Sequence, residues 1–363
     1  LNEQILKMRR KISANMQVDK LNKSKILTFI ENIRNNLLKQ CVVSVASEPV
    51  LKHSDEDREY INHLNVDTIF RDDLTQPSSN FDVVLPTQLD KVTKLQLSSI
   101  EFPSTFYMIS PSLGNNYFVL KFIDDTNTMT HTTICTIPQG NYTQTSFIIA
   151  LNNRNNYKYI LNSSDEESNL LDELFSTDIF SIDVDGEGSG TGKILFNYNS
   201  TSINNVQLCF DTNVHGQMSN IDLHKKIGWI MGFRKNNYSL LKNTDDDFVV
   251  NSEGLVNISG PKYIYFVVND YNANQFTSSF ISAFNSLTLN KNILARVPLT
   301  STNFGFEVIN IMNVVSTPRE YANPITINKL SIQIMDEFGR ILDLNNMNVS
   351  FCLSIFSKYS KPI

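Results

Sequence analysis

The sequence predicts an all-β protein, a sandwich or barrel preceded by a helical arm, and three observations carry that reading. The first is the stretch from Ile325 to Phe356, which reads as two strands joined by a turn. From Met347 onward, Met347, Val349, Phe351, Leu353 and Ile355 alternate with small or polar Asn348, Ser350, Cys352 and Ser354, the period of a strand with one buried face. The second is the recurrence, from Asp67 to the end, of short β runs separated by Pro, Asn and Gly, with only brief helical patterns between them. The third is an aromatic content of 10%, with 23 Phe and 13 Tyr, which suits wide sheets and is too rich for a disordered chain.

Taken in order, Leu1 to Gln40 reads as helix in two pieces. In the second piece Ile26, Ile30, Ile33 and Leu37 line one face, with Ser24 placed to cap the start. That stripe fits docking against protein better than membrane anchoring, because Trp and Phe anchors are nearly absent. Through Gln40 there are nine lysines and arginines against three carboxylates; with a net charge of −6 for the whole chain, the remainder carries −12. A basic arm on an acidic body points to docking on something negative: a neighbouring subunit, nucleic acid or a membrane face. A solvated helical face is the plain alternative. The polar run His53-Ser54-Asp55-Glu56-Asp57-Arg58 marks the boundary, giving an arm and linker over 1–58 and a body over 59–363.

In the body, Thr68-Ile69-Phe70, Phe81 to Leu85 and Val92 to Phe102 are strand candidates, followed by a loop from Pro103 to Asn116. Strands are expected at Tyr117 to Phe122 and Thr132 to Ile137. Thr143 or Thr145 caps a helix through Phe147 to Leu151, ended by Asn152-Asn153. Leu161 to Phe175, with its acidic cluster Asp165-Glu166-Glu167, reads as a surface excursion. A hairpin follows, Asp178 to Val184 with Lys193 to Tyr198. Ile227 to Phe233 is apolar on all sides and should be buried. Further strands are expected at Phe248 to Val250, Tyr263 to Val268, Ile293 to Leu299 and Phe306 to Ile309. In the closing stretch Leu330, Ile332 and Ile334 share one parity while Ile325 and Ile327 take the other, which requires a bulge or bend near Asn328-Lys329. Gly339 supplies positive φ for the connection that follows.

The residues point away from chemistry. Gly186 to Lys193 looks like a phosphate loop, but Glu187 stands where Gly is needed and Ile194 where Ser or Thr is needed, and Ile194 to Tyr198 reads as a strand, not the helix that would hold phosphate. Asp183 and Asp185 lack the spacing of a calcium loop, since Ile194 stands where an acid is wanted. His53, His63, His131, His215 and His224 form no metal or triad pattern. Asn141-Tyr142-Thr143 is one of several glycosylation-type triplets that an Asn-rich chain generates by chance. Cys41, Cys135, Cys209 and Cys352 are scattered, as in core thiols of a reducing cytosol. No run of about 18 apolar residues and no leader is visible. No catalytic, cofactor or metal residue is assigned; the candidate functional residues are the stripe Ile26, Ile30, Ile33 and Leu37 of the assembly arm.

Five stretches together carry a resemblance: FDVVLPTQLDKVTKLQLSSIEFPSTFY, TIPQGNYTQTSFIIALNN, KIGWIMGFRK, KYIYFVVNDYNANQFTSSFISAFNSLTLNKNILARVPL and INKLSIQIMDEFGRILDLNNMNVSFCLSI. In their order they resemble the penton-like and minor capsid proteins of large cytoplasmic DNA viruses. The resemblance implies a jelly-roll β-sandwich without catalytic residues, a structural component of an icosahedral virion made in the host cytoplasm. Its implied partners are other capsid proteins, namely the major capsid protein and neighbouring copies, as a homopentamer if it is a penton. Contact of the basic arm with nucleic acid or an inner membrane is the further expectation. A single roll needs fewer residues than lie between Asp67 and Phe356, so a large insertion around 142–260, or a second jelly roll, must fill the difference. The alternative function is a lectin-like host-attachment protein. No cofactor is expected.

Overall fold

The computed structural model describes residues 2–14, 19–45, 59–124, 130–160, 176–184, 189–272, 280–281, 292–299, 308–310, 315–316 and 318–359. The chain divides into two compact units, Leu1–Arg58 with Tyr359–Ile363, and Glu59–Lys358. In the first unit, helix α1 (Asn2–Ala14) is followed by α2 (Lys20–Val45). Arg9 pairs with Glu31 at 3.0 Å and Lys23 Nζ donates to the Ser13 carbonyl at 3.4 Å, so the two helices run back along each other. The start of α2 differs from the expected Ser24 cap. The Asp19 carboxylate accepts from the Lys20 N–H at 2.8 Å and its carbonyl from the Lys23 N–H at 2.9 Å, a stronger N-terminal partner that moves the helix start one turn earlier. Ser24 therefore lies inside the helix. Among the described residues no helix is long and apolar enough to cross a membrane.

The second unit is all-β, jelly-roll-like, and built of antiparallel sheets. One sheet runs in the order β1 (Glu59–Asp67), β16 (Ser350–Lys358), β2 (Asn80–Pro103), β15 (Arg319–Met335), β11 (Tyr263–Asn269), β12 (Ile293–Pro298) and β14 (Val315–Ser316), with β13 (Val308–Asn310) also on β2. Ile325 to Phe356 is thus not a hairpin: β2 lies between its two strands. The reason is in the connection, where Leu342, Leu344 and Val349 are buried at 3%, 2% and 1% exposure and carry the chain across the core instead of turning it back. The turn itself forms at Gly339, φ 77°. The expected bulge is present as well, since the pairing of β15 with β2 shifts between Ile327 and Lys329; all of Ile325, Ile327, Leu330, Ile332 and Ile334 are buried as a result. The two strands expected at Phe81 to Leu85 and Val92 to Phe102 are one continuous β2. Its register against β15 slips around Lys91, which takes φ 54°. These strands enclose a first core that joins Phe81, Leu97, Phe102, Phe266, Ile332 and Phe351.

Between β2 and β11 the chain builds a second core, with Phe118, Phe122, Phe180, Phe196, Phe210 and Phe233 all at 1% exposure or less. A five-stranded sheet is ordered β5 (Tyr157–Tyr159), β4 (Thr130–Thr136), β3 (Tyr117–Asp124), β8 (Ile203–Cys209) and β9 (Asn237–Leu241). A three-stranded sheet is ordered β10 (Asp247–Asn251), β7 (Ile194–Asn199) and β6 (Phe180–Ile182). Edge-to-face rings, such as Phe118 on Phe180 at 5.8 Å and 88°, hold the middle of this core. Helix α3 (Gln144–Asn152) starts at Thr143, whose hydroxyl accepts from the Ser146 N–H while the Ser146 hydroxyl accepts from the Thr143 N–H, a reciprocal cap. Ile227 to Phe233 includes the short helix α4 (Ile227–Ile230), and it is not buried all round. Trp229 is 38% exposed, with the Arg234 guanidinium 3.9 Å from its ring centre.

Candidate functional site

The expected stripe lies along α2. Ile26 and Ile33 are 39% and 41% exposed, Ile30 is half-buried, and Phe29 beside them is 64% exposed. The side chain of Leu37 lies outside the described residues. The first turn of α2 carries no acid, and Glu31 is engaged by both Arg9 and Arg34, at 3.0 Å and 2.8 Å. The helix therefore presents an apolar face beside Lys20, Lys23 and Lys25.

Glycines and acids that look chemical in the sequence are structural where they are described. In the described part of the connection between β6 and β7 the Asp183 carboxylate accepts from the Thr191 N–H and hydroxyl, and these bonds hold it below the usual carboxylate range. At Gly190, φ 136°, a Cβ would meet the Asp183 carbonyl at 2.2 Å. Lys193 precedes a strand, and Lys193→Ala is expected to change stability by no more than about 0.5 kcal/mol in a melt of the full chain. Asp185, Glu187, His53 and the cluster Asp165-Glu166-Glu167 lie outside the described residues. Asn141 is committed to backbone, accepting from the Met108 N–H at 2.7 Å and donating to the Phe106 carbonyl at 3.0 Å. His63 meets the Ser354 hydroxyl at 3.2 Å, His131 is half-buried on β4, and His215 is exposed in a turn. Among the described residues no three His, Cys, Asp or Glu gather as a metal site.

One cavity, about 120 Å³, lies where the loop after β2, the region of α4 and the β15–β16 connection meet. The His224 and Phe338 rings lie tilted at 33° with centres 5.3 Å apart there, and Arg340 binds the buried Asp336 at 2.7 Å and the Leu113 carbonyl at 3.1 Å. Glu337 Oε2 is buried without a hydrogen-bond donor, and burial pushes its carboxyl above the ordinary value of 4.5, with Asp336 adding to the rise. A group whose folded-state pKa is raised favours folding while protonated. Its contribution is complete below the unfolded value and lost as pH climbs through the folded one. Glu337→Gln is accordingly expected to raise the melting temperature at about pH 8 and leave it nearly unchanged at about pH 4.

Sequence reasoning missed one exposed feature. Thr68-Ile69-Phe70 is a single 3-10 turn instead of a strand, because the Asp67 side chain accepts from the Ile69 N–H at 3.0 Å and caps it. Asp and Thr ahead of two apolar residues was the signal available for such a capped turn.

No family model matches the chain, and no curated protein matches it. Several solved structures resemble it, among them two that match most of this chain. The crystal structure of the selenomethionine-labelled mavirus penton protein is 13% identical with a TM-score of 0.35, the match covering 83% of this chain and 100% of that one. The 3.5 Å cryo-EM structure of the Sputnik virophage gives 12% identity and a TM-score of 0.33, covering 82% of this chain and 98% of that one.

Proposed function

We propose that this chain is a non-enzymatic structural protein of the icosahedral capsid of a large cytoplasmic DNA virus. Its place is the vertex, as a penton, with a minor capsid position beneath the shell as the second choice. The observation that carries this reading is where the resembling stretches fall. Asn80–Pro103 is β2, Tyr263–Asn269 is β11, Arg319–Met335 is β15 and Ser350–Lys358 is β16, the strands whose side chains make the first core. Three of the five resembling stretches thus supply the framework, while the other two, residues 136–153 and 226–235, contribute Ile137, Phe147, Leu151, Ile227, Met231 and Phe233 to the second core. The second core, between β2 and β11, is read as the insertion expected around 142–260. Its partners are neighbouring copies and the major capsid protein, with the basic arm over 1–58 as the assembly element. No observation favours the lectin-like alternative. The test is the mass of the purified full chain and its recovery in particles. A complex of five 41.3 kDa chains that enters particles is expected for a penton. A stable monomer that stays out of particles overturns the reading.

A further inference from the structure

Between β1 and β2 the chain makes a stiff knuckle that turns apolar side chains toward solvent. Ile69, Phe70 and Leu74 are 55%, 83% and 68% exposed. The backbone beneath them is held from several sides. Arg71, half-buried, folds back on the loop, donating from Nε to the Gln76 carbonyl at 3.0 Å and from Nη1 to the Thr68 carbonyl at 2.6 Å and to Asn348 Oδ1 at 2.9 Å. The Thr68 N–H donates to the Val349 carbonyl at 2.9 Å and its hydroxyl accepts from the Val349 N–H at 2.8 Å, which pins the turn to the start of β16. The Asp73 carboxylate accepts from the Thr75 N–H and hydroxyl at 2.9 Å and 2.6 Å. A large aromatic on a loop already ordered this way loses little freedom on binding, which is the character of an interface anchor.

The charge around the anchor selects its partner. With Arg71 folded back on the loop, the exposed rim of the knuckle is acidic, with Asp72 and Asp73 exposed and Asp67 half-buried. An anionic bilayer would be repelled by these carboxylates. The complementary surface in this chain is α2, with Ile26, Phe29 and Ile33 exposed and Lys23 and Lys25 within one turn of them. We propose that the knuckle 67–76 seats α2 of a second copy, with Phe70 packed among Ile26, Phe29 and Ile33 and the rim carboxylates facing the exposed Lys25. The proposal rests on the capsid-subunit reading and names the surface on which its arm docks. A knuckle that receives the arm of the next copy is a heterologous contact, the kind that closes into rings.

The test mixes two full-length chains, one Phe70→Cys and one Ile33→Cys, both in a Cys41→Ser background, under mild oxidation. A disulfide-linked dimer is expected in the mixture and not in either chain alone. By sedimentation, Phe70→Ser and Ile33→Asn should each weaken self-association by about tenfold or more. Self-association of the unaltered chain should also weaken as salt rises from about 0.1 to 0.5 M. Phe70 is exposed, so Phe70→Ser should melt with the unaltered chain. If no cross-link forms and Phe70→Ser associates and enters particles as well as the unaltered chain, the inference falls while the capsid reading stands. If the unaltered chain neither associates nor enters particles, the capsid reading falls too. Flotation of the unaltered chain with phosphatidylcholine and phosphatidylserine vesicles, lost in Phe70→Ser, would overturn the proposal in favour of a membrane contact.

Discussion

Phe351→Ala is expected to destabilise the body by about 3–5 kcal/mol, measured by denaturant unfolding of the full chain. Phe351 is 1% exposed near the start of β16, and its ring meets Phe266 at 4.8 Å and 67°, so the closing strand and β11 share this contact across the first core. Its backbone sits between two strands, opposite Ile100 of β2 and Val66 of β1. A central strand cannot shift to close the hole left by a missing ring, because doing so would break pairing on both sides, and so the cavity cost is added to the lost burial. Ser350→Ala is the control. The Ser350 hydroxyl donates to Glu101 Oε2 at 2.6 Å on a half-buried face, and its loss should cost about 1 kcal/mol. If the two variants unfold in the reverse order, the inward parity of β16 is misassigned.

The same strand shows how far a sequence can be read. Its alternation places Met347, Val349, Phe351, Leu353 and Ile355 on the core face; the last four are buried at 1% or less, whereas Met347 is half-buried and lies ahead of β16, which begins at Ser350. Alternation on β15 also located the bulge, because side chains that switch parity yet must all be buried force the backbone to slip. Periodicity, however, reports only which residues share a face. It does not say which strand lies alongside, and so the two closing strands were read as a pair although β2 runs between them. Nor does it say what covers the other face. Ser354 is 7% exposed, placed 2.5 Å from the Ser98 hydroxyl and 3.2 Å from His63, a polar contact formed by strands far apart in sequence. Of the candidate functional residues, the helical placement of Ile26, Ile30 and Ile33 was legible because a helical period is local. Phe70 was not, since an isolated apolar residue in a short run resembles a strand until its cap is seen.

The second large effect is expected at Arg319. Its guanidinium lies 2.9 Å from the Asp270 carboxylate, with the two side chains 6% and 0% exposed. Arg319 also donates to the Val268 and Asn292 carbonyls, each at 2.8 Å, while the Tyr321 hydroxyl donates to the same Asp270 oxygen. One buried cation thus ties β15 to the end of β11 and the residue before β12. Burial, with Asp270 next to it, pushes the Tyr321 phenol far above its ordinary range, so it remains a donor. Arg319→Met removes the cation and leaves a carboxylate in the interior without its charged partner, facing neutral donors such as the Tyr321 hydroxyl and the Asn272 N–H, at an expected cost of about 3–5 kcal/mol. An exposed pair makes the comparison. Lys94 lies 3.8 Å from Glu59 with both side chains about one-third exposed, and Lys94→Met should cost no more than about 1 kcal/mol. Replacing both partners, Arg319→Met with Asp270→Leu, should recover much of the loss, because the penalty comes from an unpaired buried charge and not from the absence of a salt bridge. Denaturant unfolding of the three variants decides it. If Arg319→Met costs no more than Lys94→Met, the buried pair does not hold these strands together.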